Sequence, residues 1–149
     1  GRKAIFVGDL VDRGPDTPGV LSLVMNMIAA GTAFCVRGNH DDKLNRKLKG
    51  RDVSITHGLE ETLTQLAARP PEVSTAVQSF LDKLPTHSVF NDGKLVVAYA
   101  GMKENLQGRV SERVRAVALY GETTGESAER GRPGARNWSV DEAVRAPWG

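Results

Sequence analysis

The chain has 149 residues, of which 40% are hydrophobic and 26% are charged, and its formal net charge is +2. This composition excludes a disordered chain and is typical of one globular domain with a sizeable core. The single cysteine, Cys35, excludes an internal disulfide. The longest apolar stretch, 20–30, contains Ser22 and Asn26 and is too short to cross a bilayer. We therefore expect a cytoplasmic protein with no membrane partner.

The beginning of the chain is predicted to form a strand, a helix and a second strand. Residues 4–7 are a short apolar run that ends at Gly8, and residues 33–36 are a second apolar run. Between them, Thr17 is expected to cap a helix that has Pro18 as its first residue. Apolar residues at helical spacing predict the buried stripe of this helix, namely Val20, Leu23, Val24, Met27 and Ile28.

Polar side chains follow both predicted strands. Asp9 and Arg13 lie in the loop after the first strand, and Asn39 and His40 come directly after the second. A strand, a helix and a second strand in this order form a βαβ unit with parallel strands. The carboxyl ends of parallel strands meet at one edge of the sheet, so we expect the two loops to lie side by side.

The middle of the chain is predicted to be helical. Residues 41–48 read as a short charged helix, and the basic residues around it are expected to form a solvated face. Helical patterns at 59–67 and 73–84 are separated by two prolines. Together they predict a helical insert at about 59–85, which serves as a lid or a side wall.

The second half of the chain carries weaker signals. Asp92 and Gly93 predict a turn, and residues 94–100 predict a strand. His87 lies in a polar stretch and is expected to be solvated. Two interpretations of His57 stay open: it caps the helix that follows, or it faces a substrate groove.

The polar residues of the two loops suit phosphate chemistry. A carboxylate such as Asp9 can bridge two divalent cations, and the amide oxygen of Asn39 is a neutral metal ligand. His40 can hold a proton near neutral pH, and Arg13 offers a fixed positive fork for a phosphate. Two adjacent metal ions would lower the pKa of a bridging water and clamp the phosphoryl oxygens.

Each of these residues also has a purely structural interpretation. Asp9 and Asp12 are common turn residues, and Asn39 readily adopts a left-handed loop conformation. His40 could simply cap a helix. The grouping of these residues after two strands of one βαβ unit favours a site over four unrelated loop residues.

Two strings resemble a known family. Gly8-Asp9-Leu10-Val11-Asp12-Arg13-Gly14 and Gly38-Asn39-His40-Asp41 resemble motifs of the calcineurin-like metallophosphoesterases, particularly the phosphoprotein-phosphatase-like branch. The resemblance implies an α/β metallophosphoesterase fold, a central β-sandwich flanked by helices. Residues 1–149 would be one partial phosphatase domain, incomplete at both ends.

The same resemblance implies a role for each of four residues. Asp9 would be the metal-bridging aspartate, and Asn39 would bind the second metal. His40 would contact the scissile phosphate and assist the leaving group, and Arg13 would bind phosphate. The implied cofactors are two divalent metal ions, with Mn²⁺ favoured and Ni, Fe or Zn as alternatives.

Longer strings narrow the resemblance to the phosphatase module of bacterial polynucleotide kinase-phosphatase. They are residues 55–63, 92–97 and 113–126. This resemblance implies a module that removes 2′, 3′ or cyclic phosphate from RNA ends in RNA repair, with kinase and ligase modules in the same protein. The alternatives are a protein phosphatase or dinucleoside-polyphosphate hydrolase of the same superfamily, and a degenerate module without catalytic activity.

The sequence departs from the family pattern at three places. No Gly-Asp-x-His string precedes the first strand, and no Gly-His-Thr-Pro string follows residue 138. Tyr99 stands where the family has a metal-binding histidine, and a neutral phenol is a poor ligand for Mn²⁺. Of the implied metal ligands only Asp9 and Asn39 are present. We therefore predict little or no phosphatase activity for the isolated chain.

Overall fold

A computed structural model describes residues 1–127 and 133–135 of the chain. The chain divides into two compact units, Gly1–Pro85 and Thr86–Gly149. The first unit contains β1 (Ala4–Phe6), α1 (Thr17–Ala29), β2 (Ala33–Cys35), α2 (Asn39–Leu48), α3 (Leu59–Ala67) and α4 (Pro71–Lys83). The described part of the second contains β3 (His87–Phe90), β4 (Leu95–Ala98), α5 (Glu112–Tyr120), β5 (Thr123–Ser127) and β6 (Pro133–Ala135).

The predicted βαβ unit is confirmed. β1 and β2 are parallel, and Ala4, Ile5 and Phe6 lie opposite Ala33, Phe34 and Cys35. The ladder continues for one more bond, in which the Val36 N–H donates to the Phe6 carbonyl at 3.0 Å. This register places the loops that follow the two strands at the same edge, as the sequence predicted.

Helix α1 forms where it was predicted but presents a different face. Asp16 is the N-cap, because its Oδ1 accepts from the Gly19 N–H at 3.0 Å, and the predicted cap Thr17 is already helical. Of the predicted stripe, Val24 is buried, whereas Val20 and Leu23 are exposed. The buried face instead contains Thr17, Pro18, Leu21 and Val24. Packing against β2, α3 and α4 sets this rotation.

Helices α3 and α4 complete the core of the first unit. Leu59, Leu66, Val77 and Leu81 belong to the same buried cluster as Leu21, Leu44 and Val24. The helical segment was predicted to serve as a lid or a side wall. Because it shares one core with the other helices, a side wall is the role that agrees with the structure.

Buried Arg37 ties the end of β2 to the end of α4. It pairs with Asp42 at 3.2 Å and donates to the carbonyls of Leu81 and Asp82 at 2.6 and 2.9 Å. Carbonyls in the last turn of a helix have no partner within the helix, so a guanidinium is well suited to this position.

The second unit contains an antiparallel hairpin of β3 and β4, with His87 opposite Ala98 and Phe90 opposite Leu95. The predicted turn is confirmed, since a short 3-10 helix, Asn91–Gly93, joins the strands. Ser111 caps α5 by accepting from the Val114 N–H at 3.2 Å. In the part of this unit that the structure describes, a core cluster contains Leu106, Val114 and Val117, with Met102 packed against it. Among the described residues, no helix combines the length and the apolar character needed to cross a membrane.

Candidate active site

The loops after β1 and β2 touch each other directly. Gly38 has no room for a side chain, because a Cβ atom there would lie 2.5 Å from the Asp9 nitrogen and would also collide with the Asp9 carboxylate. The His40 N–H donates to Oδ1 of Asp9 at 3.3 Å. Asp9, His40 and Gly38 therefore form one continuous surface at the edge of the β1–β2 sheet.

Fully buried Asp41 holds the two loops together. Its Oδ2 accepts from the backbone N–H groups of Asp9 and Gly38 at 2.8 and 2.7 Å, and its Oδ1 accepts from the Leu10 N–H at 2.9 Å. Burial raises the pKa of the Asp41 carboxyl, and the three N–H donors oppose that rise. Asp41 is thus a structural carboxylate that also caps the first turn of α2.

The loop after β1 adopts an unfavourable backbone conformation. Asp9, Asp12 and Arg13 have φ values of 53°, 72° and 60°. Left-handed conformations of non-glycine residues cost about 1–3 kcal/mol each and persist only where surrounding contacts hold them. The contacts from Asp41 hold the first part of this loop, and contacts from α3 hold the second part.

His40 lies between an acid and a guanidinium. Its Nδ1 is 2.5 Å from Oδ2 of Asp12, and its Nε2 is 3.4 Å from a terminal nitrogen of Arg13. Since arginine only donates, Nε2 accepts in this arrangement and Nδ1 carries the proton that faces Asp12. The Asp12 side chain is 1% exposed, and its Oδ1 accepts from the Thr62 hydroxyl at 2.7 Å.

Arg13 and Lys43 converge on one short stretch of backbone. Nε of Arg13 donates to the His57 carbonyl at 3.3 Å. Nζ of Lys43 donates to the Thr56 hydroxyl at 2.9 Å and to the Thr56 carbonyl at 3.4 Å. His57 itself is exposed, and Gly58 rather than His57 is the N-cap of α3. Two cationic side chains are therefore anchored on the adjacent backbone carbonyls of Thr56 and His57.

The side-chain oxygen of Asn39 is available to bind a cation. Its side-chain oxygen is buried and accepts no hydrogen bond. A buried acceptor without a donor needs an explanation, and a bound cation is one. Asn39 and Asp9 carry oxygen atoms of the kind that divalent cations bind. No three His, Cys, Asp or Glu side chains in the described part of the chain group into a metal site. Asp9 and Asn39 could therefore hold at most part of a metal site.

All four residues predicted for the site lie together: Asp9, Arg13, Asn39 and His40. Their roles in binding and catalysis stay predictions. Tyr99 follows β4 in the second unit and is half-buried. Sequence reasoning missed Asp12 as the partner of His40, although Asp12 lies in the quoted motif. Thr62 lies in the string 55–63, but no local pattern indicates its bond to Asp12.

This geometry agrees with the comparison to known families. The model of the calcineurin-like phosphoesterase family matches residues 1–141, so the chain belongs to that family. The α/β metallophosphoesterase fold is thereby confirmed, and the chain derives from a class of hydrolytic enzymes. Members of this class generally use two divalent metal ions.

Similar proteins share one description. The chain is 39% identical over 143 residues to the asymmetrical bis(5′-nucleosyl)-tetraphosphatase PrpE of Anoxybacillus flavithermus, and the match covers 93% of this chain and 58% of that protein. The PrpE proteins of Halalkalibacterium halodurans and Bacillus subtilis are 40% and 38% identical, each over 144 residues, or 94% of this chain and 58% and 59% of theirs. The chain thus spans less than two thirds of the length of these relatives.

A solved structure supports the same grouping. A crystal structure described provisionally as a diadenosine tetraphosphatase matches 88% of this chain and 55% of its own, with a TM-score of 0.55 and 28% identity. These names favour the dinucleoside-polyphosphate alternative of the sequence analysis over the polynucleotide kinase-phosphatase that was its main hypothesis.

Proposed function

We propose that this chain contributes phosphate-binding and proton-transferring residues to a hydrolase of dinucleoside polyphosphates. The observation that carries the proposal is the position of His40 between Asp12 and Arg13, beside Asp9 and Asn39. The names of the similar proteins support this substrate class. In this reaction one water is added across a phosphoanhydride, and asymmetrical cleavage of a tetraphosphate releases a nucleoside triphosphate and a nucleoside monophosphate.

Each residue of the group has a task in this reaction. Arg13 binds the phosphate that is attacked, because its guanidinium presents a fixed fork of donors. His40 passes a proton to the leaving phosphate oxygen, and Asp12 keeps the ring in the required orientation. Divalent ions, held in part by Asp9 and Asn39, would supply an activated water and neutralise phosphate charge.

The pair of cations favours a substrate with several phosphates. Arg13 and Lys43 donate to the adjacent carbonyls of His57 and Thr56, so both charges are anchored on the same short stretch of backbone. A single phosphate monoester needs one such cation, whereas a polyphosphate chain can use both. Lys43 is therefore proposed to bind a phosphate next to the one that Arg13 binds.

A second candidate is the removal of phosphate from polynucleotide ends. The string 55–63, which suggested this activity, includes Thr56, His57 and Thr62, and all three contact site residues. The resemblance of this string to the polynucleotide kinase-phosphatase module is what keeps the RNA-end hypothesis as a candidate. The kinase and ligase modules that it implies stay predictions.

The test compares three substrates with Mn²⁺ present. The complete protein encoded by the gene is assayed with a bis(5′-nucleosyl) tetraphosphate, a 3′-phosphate oligonucleotide and a phosphopeptide, and the products are separated. Preference for the tetraphosphate, with triphosphate and monophosphate as products, supports the proposal. Preference for the oligonucleotide would support the second candidate instead. The isolated 149-residue chain is expected to show little turnover and weak Mn²⁺ binding by calorimetry.

A matched pair of lysine variants tests the polyphosphate subsite. Lys43→Gln should raise KM for the tetraphosphate by about tenfold, since it removes one charge-assisted contact, and should leave hydrolysis of a simple monoester unchanged. Lys47→Gln, one turn further along α2, is the control. Equal effects of the two variants would show that Lys43 does not bind a phosphate.

A further inference from the structure

Thr62 occupies an unusual position for a threonine in a helix. It lies in α3 and is 0% exposed. Its hydroxyl accepts from the Asp12 backbone N–H at 3.0 Å and donates to Oδ1 of Asp12 at 2.7 Å. One hydroxyl therefore holds both the backbone and the carboxylate of a residue that is 50 positions away in the sequence.

Helical threonines usually satisfy their hydroxyl on the preceding turn of the same helix. Thr64 does so by donating to the Glu60 carbonyl at 3.0 Å, and Thr75 does so with the Pro71 carbonyl at 3.4 Å. The hydroxyl of Thr62 instead crosses to the loop after β1. Its partner is a site residue rather than its own helix.

A second side chain of α3 reaches the same loop. Gln65, one turn after Thr62, donates to the Gly14 carbonyl at 2.9 Å and accepts from the Thr17 N–H at 2.7 Å. The loop is thus tied to α3 on both sides of Arg13. This matters because Asp12 and Arg13 have left-handed backbone conformations, which they would leave without such contacts.

The contact to Thr62 also decides which oxygen of Asp12 meets His40. Oδ1 is used by Thr62, which leaves Oδ2 for Nδ1 of His40 at 2.5 Å. Because the Asp12 side chain is 1% exposed, solvent has little access to replace a lost hydroxyl. Without Thr62 the carboxylate can rotate about its Cβ–Cγ bond, and the imidazole loses its fixed orientation.

We propose that Thr62 is a positioning residue that orients Asp12 and, through Asp12, the proton-transferring ring of His40. This inference rests on the proposed function for the role of His40. The contact between Thr62 and Asp12 is tested separately from that role.

Kinetics of three variants test the positioning role in the complete protein. Thr62→Val keeps the shape of the side chain and removes the hydroxyl, and it should lower kcat by about 10- to 100-fold with KM nearly unchanged. Thr62→Ser should recover kcat to within a few-fold of wild type. Thr64→Val, in the same helix, should leave both constants unchanged. A loss confined to KM, or a failure of serine to rescue kcat, would overturn the proposal.

Amide hydrogen exchange tests the contact without any activity. In the 149-residue chain, the Asp12 N–H should exchange at least about tenfold faster in Thr62→Val than in wild type, and serine should restore its protection. Amides of α4 serve as the folding check and should keep their rates. Unchanged exchange at Asp12 would refute the contact. If wild type hydrolyses none of the three substrates while Asp12 behaves as expected, the proposed function fails and the contact stands.

Discussion

The interactions within each compact unit differ between the two units. In the first, buried residues from every helix form one cluster, and side-chain bonds join positions up to 51 residues apart. Among the described residues of the second unit, the core cluster contains Leu106, Val114 and Val117. The described polar bonds of the second unit join closer positions, for example His87 with Gly108, which are 21 residues apart.

This difference shows where a loop with an unfavourable backbone conformation can be stabilised. Asp9, Asp12 and Arg13 carry left-handed backbone conformations next to the larger core. Their cost is offset by bonds from Asp41 and Thr62, which are buried side chains of α2 and α3. A rigid support of this kind is what a site needs to keep its side chains in working geometry.

The largest expected effect compares the same substitution in the two cores. Leu44 is 0% exposed in the first core, and Leu106 is 8% exposed in the second. Leu44→Ala should lower the free energy of unfolding by about 3–5 kcal/mol, and Leu106→Ala by about 2 kcal/mol, because the partly exposed Leu106 loses less burial when it is truncated. Urea unfolding followed by circular dichroism measures both. Equal losses would break the contrast between the units.

The next effect concerns the carboxylate that joins the two loops. Asp41→Ala leaves three backbone N–H groups without their acceptor and should cost roughly 3 kcal/mol. Exposed Asp52 is the control, and Asp52→Ala should change the free energy of unfolding by less than about 0.5 kcal/mol. If both variants unfold at the same urea concentration, Asp41 does not support the loops.

A glycine pair tests how closely the loops must approach. Gly38→Ala forces its new Cβ against Asp9 and should lower kcat/KM of the complete protein on the order of 100-fold, since a shift of about 1 Å displaces the site. Gly14 has open space around it and a backbone that alanine tolerates, so Gly14→Ala should have a much smaller effect. The ratio of the two rates is the measurement. If Gly38→Ala changes kcat/KM only slightly, the close approach of Asp9 to Gly38 is not required for activity.

The smallest effect is a pH dependence in the second unit. Burial lowers the pKa of His87 below its ordinary value of 6.5, and its Nε2 accepts from the Gly108 N–H at 2.9 Å. The unfolded chain therefore binds more protons below pH 6.5, and the stability from His87, present above that pH, is lost as the pH falls toward the lowered pKa.

Amide exchange of the β3–β4 hairpin at pH 7.5 and pH 5, corrected for intrinsic rates, measures the effect of His87. His87→Gln still offers an acceptor but does not titrate in this range, so it should reduce the pH dependence. The same dependence in wild type and variant would assign it to another group. The expectation that His87 is simply solvated was wrong, because strand pairing places it half-buried in β3.

Much of the first unit could be predicted because its signals are local. Apolar runs mark β1 and β2, and two prolines mark the beginning of α4. The parallel pairing of β1 with β2 then followed from general rules of βαβ units. The face of α1 could not be read in the same way, since Val20 and Leu21 are equally apolar and only the packing of neighbouring helices chooses between them.

In the candidate site, too, some features could be predicted from the sequence and others could not. Asp9, Arg13, Asn39 and His40 were found from the sequence because they belong to two short strings, each following a strand. The bonds that orient them were not found. Thr62 and Asp12 are 50 residues apart, and nothing in the spacing of either residue indicates the other.

The sequence by itself determined the family of this protein, its main helices and strands, and the four residues of its candidate site. The helices and strands rest on interactions within a few residues. The site residues belong to two short motifs that follow β1 and β2, and parallel pairing brings these motifs to one edge of the sheet. Only the tertiary structure decided that Asp41 joins the two loops and that Thr62 holds Asp12 against His40. Such bonds depend on how separate helices pack, and packing is a property of the whole core rather than of any one segment.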